Sequence, residues 1–425
     1  MRRAIIVVLD GLRRDMLDAR LTPFLARHAE EAETFVRHRS VFPSATRVVS
    51  SSMATGCYPA RHELAGNTLV LIEDGRLVAH DAGHPGFLQH KRRVTGRSLA
   101  VPTMAERVRE HGGAEIYSNV SPGAAYAHDP DGHGTVYHRA GSFGPGRTPV
   151  TGWTADRITI DAAGDRALAE RFVEAVVAAP APPALGVLWL AEPDYSSHAY
   201  PLGSPAQLAA LRGADATAGF VIAAVEKARA HGDDILLVVG SDHGHQSVGG
   251  VVDVDAALVA AGLKAGPGSR DVMAVSNGTS ALVYVHPDHA ARVEAIGSFL
   301  TGQSWAGEVI GADRLGEIGQ AARHGLAFAV AMAATEEPNA HGIAGTSWVA
   351  KPAAGKPDRM GCGQHGGLGR FEQSPFLLIQ GSGFTSGARR DTASSAVDIA
   401  PTVMTHLGLP AADMDGRPLQ AGSTG

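Results

Sequence analysis

Five short apolar runs constrain this chain more than any other feature. They are Ala4–Leu9, Ala114–Ser118, Leu185–Leu190, Ile235–Val239 and Phe376–Ile379, and each stops at a polar or glycine-rich loop. The runs read as strands apolar on both faces, a pattern that needs helices above and below. Helical patterns fall between them: "TPFLARHAEEAETF", "DRALAERFVEAVVAA", "SPAQLAALRGADATAGFVIAAVEKARAHG" and "SAVDIAPTVMTHLG", the last stopping at Gly408. Alternation of this kind predicts an α/β fold with a mostly parallel central sheet and helices on both faces. Two segments, about 62–154 and 244–363, break the rhythm and are rich in Gly, His and Pro. They are expected to contain insertions that build a cap over one end of the sheet, within a single catalytic domain spanning 1–425. In the second of them, "VSNGTSALVYV" and "LAFAVAMAA" read as further strands.

With 425 residues, 44% of them hydrophobic, a large core is within reach, and a net charge of −6 without a long basic run leaves no nucleic-acid footprint. The two cysteines, Cys57 and Cys362, do not make a disulfide framework and are expected to be free. The apolar run Ala4–Leu9 meets Asp10 too soon for a signal-peptide core. No stretch reads as approaching the ~20 apolar residues of a membrane span. These readings lead to an expected cytoplasmic location and no membrane partner.

In open α/β sheets, ligands bind beyond the carboxyl ends of the strands. This chain places Asp10 after its first run, Asp194 and His198 after "LGVLWLAEP", and Asp242 and His243 in "GSDHGH". A later glycine-rich loop, "GCGQHGG", carries His365. Three carboxylates and three imidazoles can divide into two mixed N/O sites of the kind a catalytic divalent ion uses. Taken singly, Asp10 also reads as a helix cap and Asp194/His198 as a loop hydrogen bond. An adjacent Asp and His buried without partners beside an apolar strand is costly, so "SDHGH" is the stronger signal. His245 reads as a supporting or solvent-facing residue. Thr46, in "FPSATRVVSSSMATG", stands near the start of a helical segment, where free amides favour an anion; it reads equally as an N-cap or as a nucleophile.

Together these stretches resemble the alkaline phosphatase superfamily. Within it the chain is most similar to the nucleotide pyrophosphatase/phosphodiesterase branch, with phosphonoacetate hydrolases close by. The matching segments are "VVLDGLRRD", "FPSATRVVSSSMATGCYPARHELAGN", "EPDYSSHAY", "GSDHGH", "QHGG" and "DIAPTVMTHLGLPAADMDGRPL". The resemblance implies two divalent ions, zinc above all, acting on a small phosphate ester through a phosphothreonine intermediate on Thr46. It implies that Asp10, Asp242 and His243 hold the ion that activates Thr46. Asp194, His198 and His365 would hold the ion that stabilises the leaving oxygen. Asn67, 21 positions after Thr46, matches an asparagine that donates to a phosphoryl oxygen.

The departures bear on the substrate. Arg47 stands where the pyrophosphatase branch carries an aromatic of its nucleobase slot; it meets either a second anionic group or a structural salt-bridge partner. Asn119 and Ser121 stand where phosphonoacetate hydrolases and one monoesterase branch carry a cation pair, and Asn119 is a candidate substrate contact. Lacking that pair, the site is expected to favour a diester or pyrophosphate-type bond. A phosphonate hydrolase or a phosphomonoesterase is the alternative, ahead of a non-enzymatic metal-stabilised binding protein. The segment Tyr126–His138 reads either as a leaving-group wall or, at "HDPDGHG", as a solvated loop.

Overall fold

A computed structural model describes residues 2–152, 158–352 and 355–421. Its centre is a ten-stranded sheet. The strand Arg2–Leu9 lies between Leu185–Leu190 and Asp234–Gly240 and is parallel to both; Leu185–Leu190 is in turn parallel to Ala114–Ser118. Alternation along the first strand explains why both faces must be covered. Ala4, Ile6 and Val8 enter one core, with Val48, Met53, Val108, Ala124 and Val403 from the helices on that face. Ile5, Val7 and Leu9 enter the other, with Leu25, Leu168, Phe172, Leu211 and Val221. Each such buried aliphatic contributes on the order of 1.5–3 kcal/mol relative to exposure, and a strand apolar on both sides gains it twice per residue pair.

Two elements differ from expectation at this sheet's edge. The helix expected over "TPFLARHAEEAETF" ends at Ala29, and Glu33–Phe35 is a strand antiparallel to Leu377–Gln380. There Phe35 is buried, and the Glu33 carboxylate accepts from Arg390 Nε and the Thr385 amide. Tertiary pairing therefore overrides a helical pattern. Leu377–Gln380 itself runs antiparallel to Asp234–Gly240, so the sheet is mixed at this side and parallel at its centre.

The helix Pro205–Ala230 is long and apolar enough to cross a membrane by length and composition, which corrects the reading that no stretch approaches that limit. Here Leu211, Ala214, Ala218, Val221 and Val225 pack it against the sheet. Cys57 and Cys362 are free.

Beyond the carboxyl ends of the parallel strands lies an antiparallel sheet of Val272–Ser276, Ser280–Val285, Leu326–Met332 and Ala306–Gly311. "VSNGTSALVYV" folds as the hairpin of its first two strands. One face packs on the helix Val293–Thr301 through Ile296 and Leu300. Another cluster joins Val275, Leu282 and Tyr284 to Phe42 and to Val70 and Leu77 of the hairpin Thr68–Asp81. The Asn277 side chain bonds both the amide and the carbonyl of Thr68, so this sheet steadies the hairpin directly after Asn67. Segment 62–154 thus supplies that hairpin, but also sends Ala114–Ser118 and Thr135–Tyr137 into the main sheet. "HDPDGHG" is not a solvated loop: the buried Asp129 carboxylate gathers the amides of Gly132, His133 and Gly134.

Candidate active site

Thr46 is the first residue of the helix Thr46–Thr55, one position past Ala45, which occupies the cap without a side-chain hydrogen bond. The cap reading of Thr46 therefore does not hold. Its Oγ1 lies 3.2 Å from His243 Nε2. His243 Nε2 is in turn 3.4 Å from Asp10 Oδ1 and 3.0 Å from Asp242 Oδ2. Asp10 is fixed from its other oxygen by the Trp189 indole, 3.0 Å away, and Asp242 by the Gly11 amide, also at 3.0 Å. The remaining oxygens, Asp10 Oδ1 and Asp242 Oδ2, are buried with no hydrogen-bond partner among the described residues.

The second group surrounds Asp194. Its Oδ1 lies 3.4 Å from His198 Nε2, 3.5 Å from His365 Nε2 and 2.9 Å from His245 Nε2. Each ring is oriented from behind by a backbone carbonyl on Nδ1: Gly363 for His198, Ser44 for His365, Gly11 for His245 and Gly244 for His243. A carbonyl can only accept, so each Nδ1 carries the proton; for His198, His365 and His243 this leaves the Nε2 lone pair facing the carboxylates.

These residues fit divalent ions on the structure's own terms. Two buried carboxylate oxygens lack any donor, and such atoms are costly unless a cation meets them. Burial, with the neighbouring Asp242 and Asp194 carboxylates, pushes Asp10 well above its usual range, so the cluster is short of positive charge. Burial also holds His198 down at about 3 and His365 well below its ordinary value, keeping both neutral and able to ligate. Two atoms bound to one tetrahedral zinc at ~2.0 Å sit ~3.3 Å apart. The Asp194–His198, Asp194–His365 and Asp10–His243 spacings match that figure, while Asp242–His243 is shorter at 3.0 Å. Asp194–His245 is at hydrogen-bond length instead. Buried at 1% exposure, His245 does not face solvent; it belongs to the same cluster as Asp194, His198 and His365, with Nε2 at hydrogen-bond length from Asp194 Oδ1.

Asn67 Oδ1 accepts from the Arg47 amide at 3.1 Å. That fixes Asn67 with Nδ2, which has no partner among the described residues, in the cavity wall beside Thr46. Asn119 is different. Its Nδ2 donates to Thr159 O and Asp165 Oδ1, and its Oδ1 accepts from Arg139, so its hydrogen-bonding capacity is spent within the protein. It supports the wall and is not free to grip substrate. Arg47 meets Ser121 Oγ at 3.1 Å and Asp81 at 3.8 Å while facing the cavity, so both of its sequence readings have a physical basis. The cavity, about 940 Å³, is lined by Asp10, Thr46, Asn67, Asp194, His198 and His365 together with residues of the antiparallel sheet.

Residues 4–299 match the family model of type I phosphodiesterase / nucleotide pyrophosphatase. The chain belongs to that family. Its members are metal-dependent hydrolases, in keeping with the His/Asp clusters here. Among solved structures, murine ectonucleotide pyrophosphatase / phosphodiesterase 5 superposes with a TM-score of 0.69 at 18% identity, over 98% of this chain and 97% of that one. The human protein of the same name gives 0.69 at 16% identity with the same coverage. An inactive threonine-to-alanine variant of the murine protein, in complex with AMP, gives 0.68 at 18% identity, again over 98% and 97%. These likenesses show that the phosphodiesterase family member described here has the alkaline phosphatase-like fold. No curated protein sequence matches the chain.

Sequence reasoning missed Glu372; of its two readings of His245, the supporting one fits and the solvent-facing one does not. Glu372, 1% exposed, accepts from the amides of Gly367 and Gly369 and from Thr279 Oγ1 and Ser44 Oγ. It thereby ties the "QHGG" loop to the "FPSAT" turn, whose Ser44 carbonyl orients His365. An acid in "GRFEQS" has no local pattern to betray that role.

Proposed function

We propose that this phosphodiesterase family member cleaves phosphodiester or pyrophosphate-type bonds by in-line attack of Thr46 on phosphorus, with Asp10, Asp242 and His243 holding one zinc ion and Asp194, His198 and His365 a second. When bound, the ions supply the positive charge that lowers the pKa of the Thr46 hydroxyl and stabilises a leaving oxygen. The observation that carries the reading is the position of Thr46 Oγ1, 3.2 Å from the His243 Nε2 that faces both unpartnered carboxylate oxygens. Thr46 Oγ1 gives up its proton to solvent and forms a bond to phosphorus as the ester P–O bond breaks, and the leaving alkoxide takes a proton from water. Water then attacks the same phosphorus, the Thr46–phosphorus bond breaks, and the hydroxyl is restored with release of a phosphomonoester. Asn67 Nδ2 and the Thr46 amide, at the start of the helix Thr46–Thr55, meet the equatorial oxygens, where charge develops.

Support also comes from the murine protein, which is inactive when a threonine is replaced by alanine. The test is Thr46→Ala assayed on bis(4-nitrophenyl) phosphate with metal content measured alongside. Turnover is expected to fall at least a thousandfold while two ions per chain remain. Near-normal turnover would overturn the assignment of the nucleophile.

A further inference from the structure

Residues 119–121 close the carboxyl end of the strand Ala114–Ser118 and carry no charge themselves. Their oxygens hold two guanidinium groups that come from elsewhere in the chain. Arg139 Nη1 donates to Asn119 O at 2.5 Å and to Asn119 Oδ1 at 2.8 Å, and its Nη2 to Val120 O at 3.2 Å. Arg47 Nε donates to Ser121 Oγ at 3.1 Å. Asn119 is itself locked by Thr159 O and the fully buried Asp165. Gly83 gives Arg47 its place, since a Cβ there would lie 2.3 Å from the guanidinium. Both arginines line the cavity that contains Thr46 and Asn67.

Neutral oxygens orient a guanidinium without cancelling its charge. No carboxylate lies within salt-bridge distance of Arg139 among the described residues. Arg47 has only Asp81, at 3.8 Å, and that carboxylate is shared with Lys356 at 3.3 Å. Arg47 Nη1 and Arg139 Nε take no hydrogen bond among the described residues. Burial presses both guanidinium pKa values down, against the opposing pull of Asp81, Asp194 and Asp10 on Arg47 and of Asp165 on Arg139. Asn119 and Ser121 thus carry no charge of their own but hold the guanidiniums of Arg139 and Arg47 at the cavity wall.

We propose that Arg47 and Arg139 form a second-anion subsite, and that the preferred substrate is a phosphate ester carrying a further oxyanion on the group retained after cleavage. This rests on the hydrolase reading above. Two partly desolvated guanidiniums held on neighbouring residues of one cavity wall select a carboxylate or phosphoryl group over a neutral ring of the same size.

The test compares 4-nitrophenyl phenyl phosphate with 4-nitrophenyl 3-carboxyphenyl phosphate, both read by nitrophenolate release. The wild-type protein is expected to favour the carboxylated ester at least tenfold in kcat/KM. Arg47→Met and Arg139→Met are each expected to bring that ratio close to one, chiefly through KM, with Arg139→Lys intermediate. A wild-type ratio of one or less, or a ratio unchanged in the variants, overturns the subsite. A protein that turns over neither ester fails as a diesterase, and the subsite is then judged by calorimetry on zinc-loaded Thr46→Ala. There, 3-carboxyphenyl phosphate is expected to bind at least tenfold more tightly than phenyl phosphate, and equal binding overturns the proposal. Adding Arg139→Met to that background is expected to abolish the difference; a preference that survives the addition also overturns it.

Discussion

Replacing His245 separates the two ways in which an imidazole can serve a metal centre. His245 Nε2 lies 2.9 Å from Asp194 Oδ1, while His198 and His365 lie at 3.4 and 3.5 Å. In the proposed assignment His198 and His365 share an ion with Asp194, and His245 only hydrogen-bonds it. Nδ1 of His245 is tied to Gly11 O, and Gly11 has φ +70 with room for no Cβ, which would fall 2.2 Å from the imidazole. The ring is therefore clamped between backbone and carboxylate. Asn at 245 can retain the bond to Gly11 O but is too short to reach Asp194. Removing a partner of this kind weakens metal binding about 10–100-fold, which is about 1.4–2.7 kcal/mol. Zinc binding measured by chelator competition is expected to show two ions per chain in His245→Asn, one of them weakened by that factor and the other within about threefold of wild type. His198→Ala, by contrast, is expected to bind a single ion. Loss of one ion from His245→Asn would make His245 a ligand, and two unchanged affinities would show that its bond to Asp194 contributes nothing.

Two further outcomes follow from buried groups away from the ions. Burial holds His28, His128 and His138 down at about 4 and His38 and His62 at about 3, against ~6.5 in the unfolded chain. Unfolding therefore takes up protons below pH ~6.5, and stability present above that value is lost as pH falls toward 4, by up to ~1.4 kcal/mol per pH unit per imidazole. Urea unfolding of metal-free protein at a series of pH values reads this directly; a flat profile between pH 6.5 and 4 would contradict it. Glu372→Ala leaves the buried Gly367 amide, the part-buried Gly369 amide and the Thr279 hydroxyl short of an acceptor, while Ser44 Oγ keeps Gly367 O, and is expected to cost about 2–4 kcal/mol of stability. A loss below about 1 kcal/mol in the same assay would show that Glu372 does not hold the two loops together.

The Asp and His residues that the fold gathers into two clusters were legible because their chemistry and their positions agree. Asp10, Asp194, Asp242 and His243 each directly follow a buried strand or its short loop, where an α/β sheet presents side chains to ligand. What escaped were distances and partners far along the chain. His245 sits two positions from His243 in a strand-end loop, and its hydrogen bond to Asp194, 51 positions earlier, has no local signature. Arg139 follows Asn119 by 20 positions, and nothing local shows that the loop folds back onto Asn119 and Val120. Glu33–Phe35 has a helical pattern, yet it pairs with Leu377–Gln380 more than 300 residues away. In each case a long-range partner decides the outcome, and periodicity contains no information about it.

The account stands on Thr46 becoming covalently attached to phosphorus. Zinc-loaded protein mixed with bis(4-nitrophenyl) phosphate, quenched in acid before one turnover and analysed by peptide mass spectrometry, tests this most directly. A nitrophenyl-phosphoryl adduct on Thr46, absent from Thr46→Ala, is the expected result. Product release at full rate with no adduct at Thr46 at any quench time, or an adduct on another residue, would contradict it.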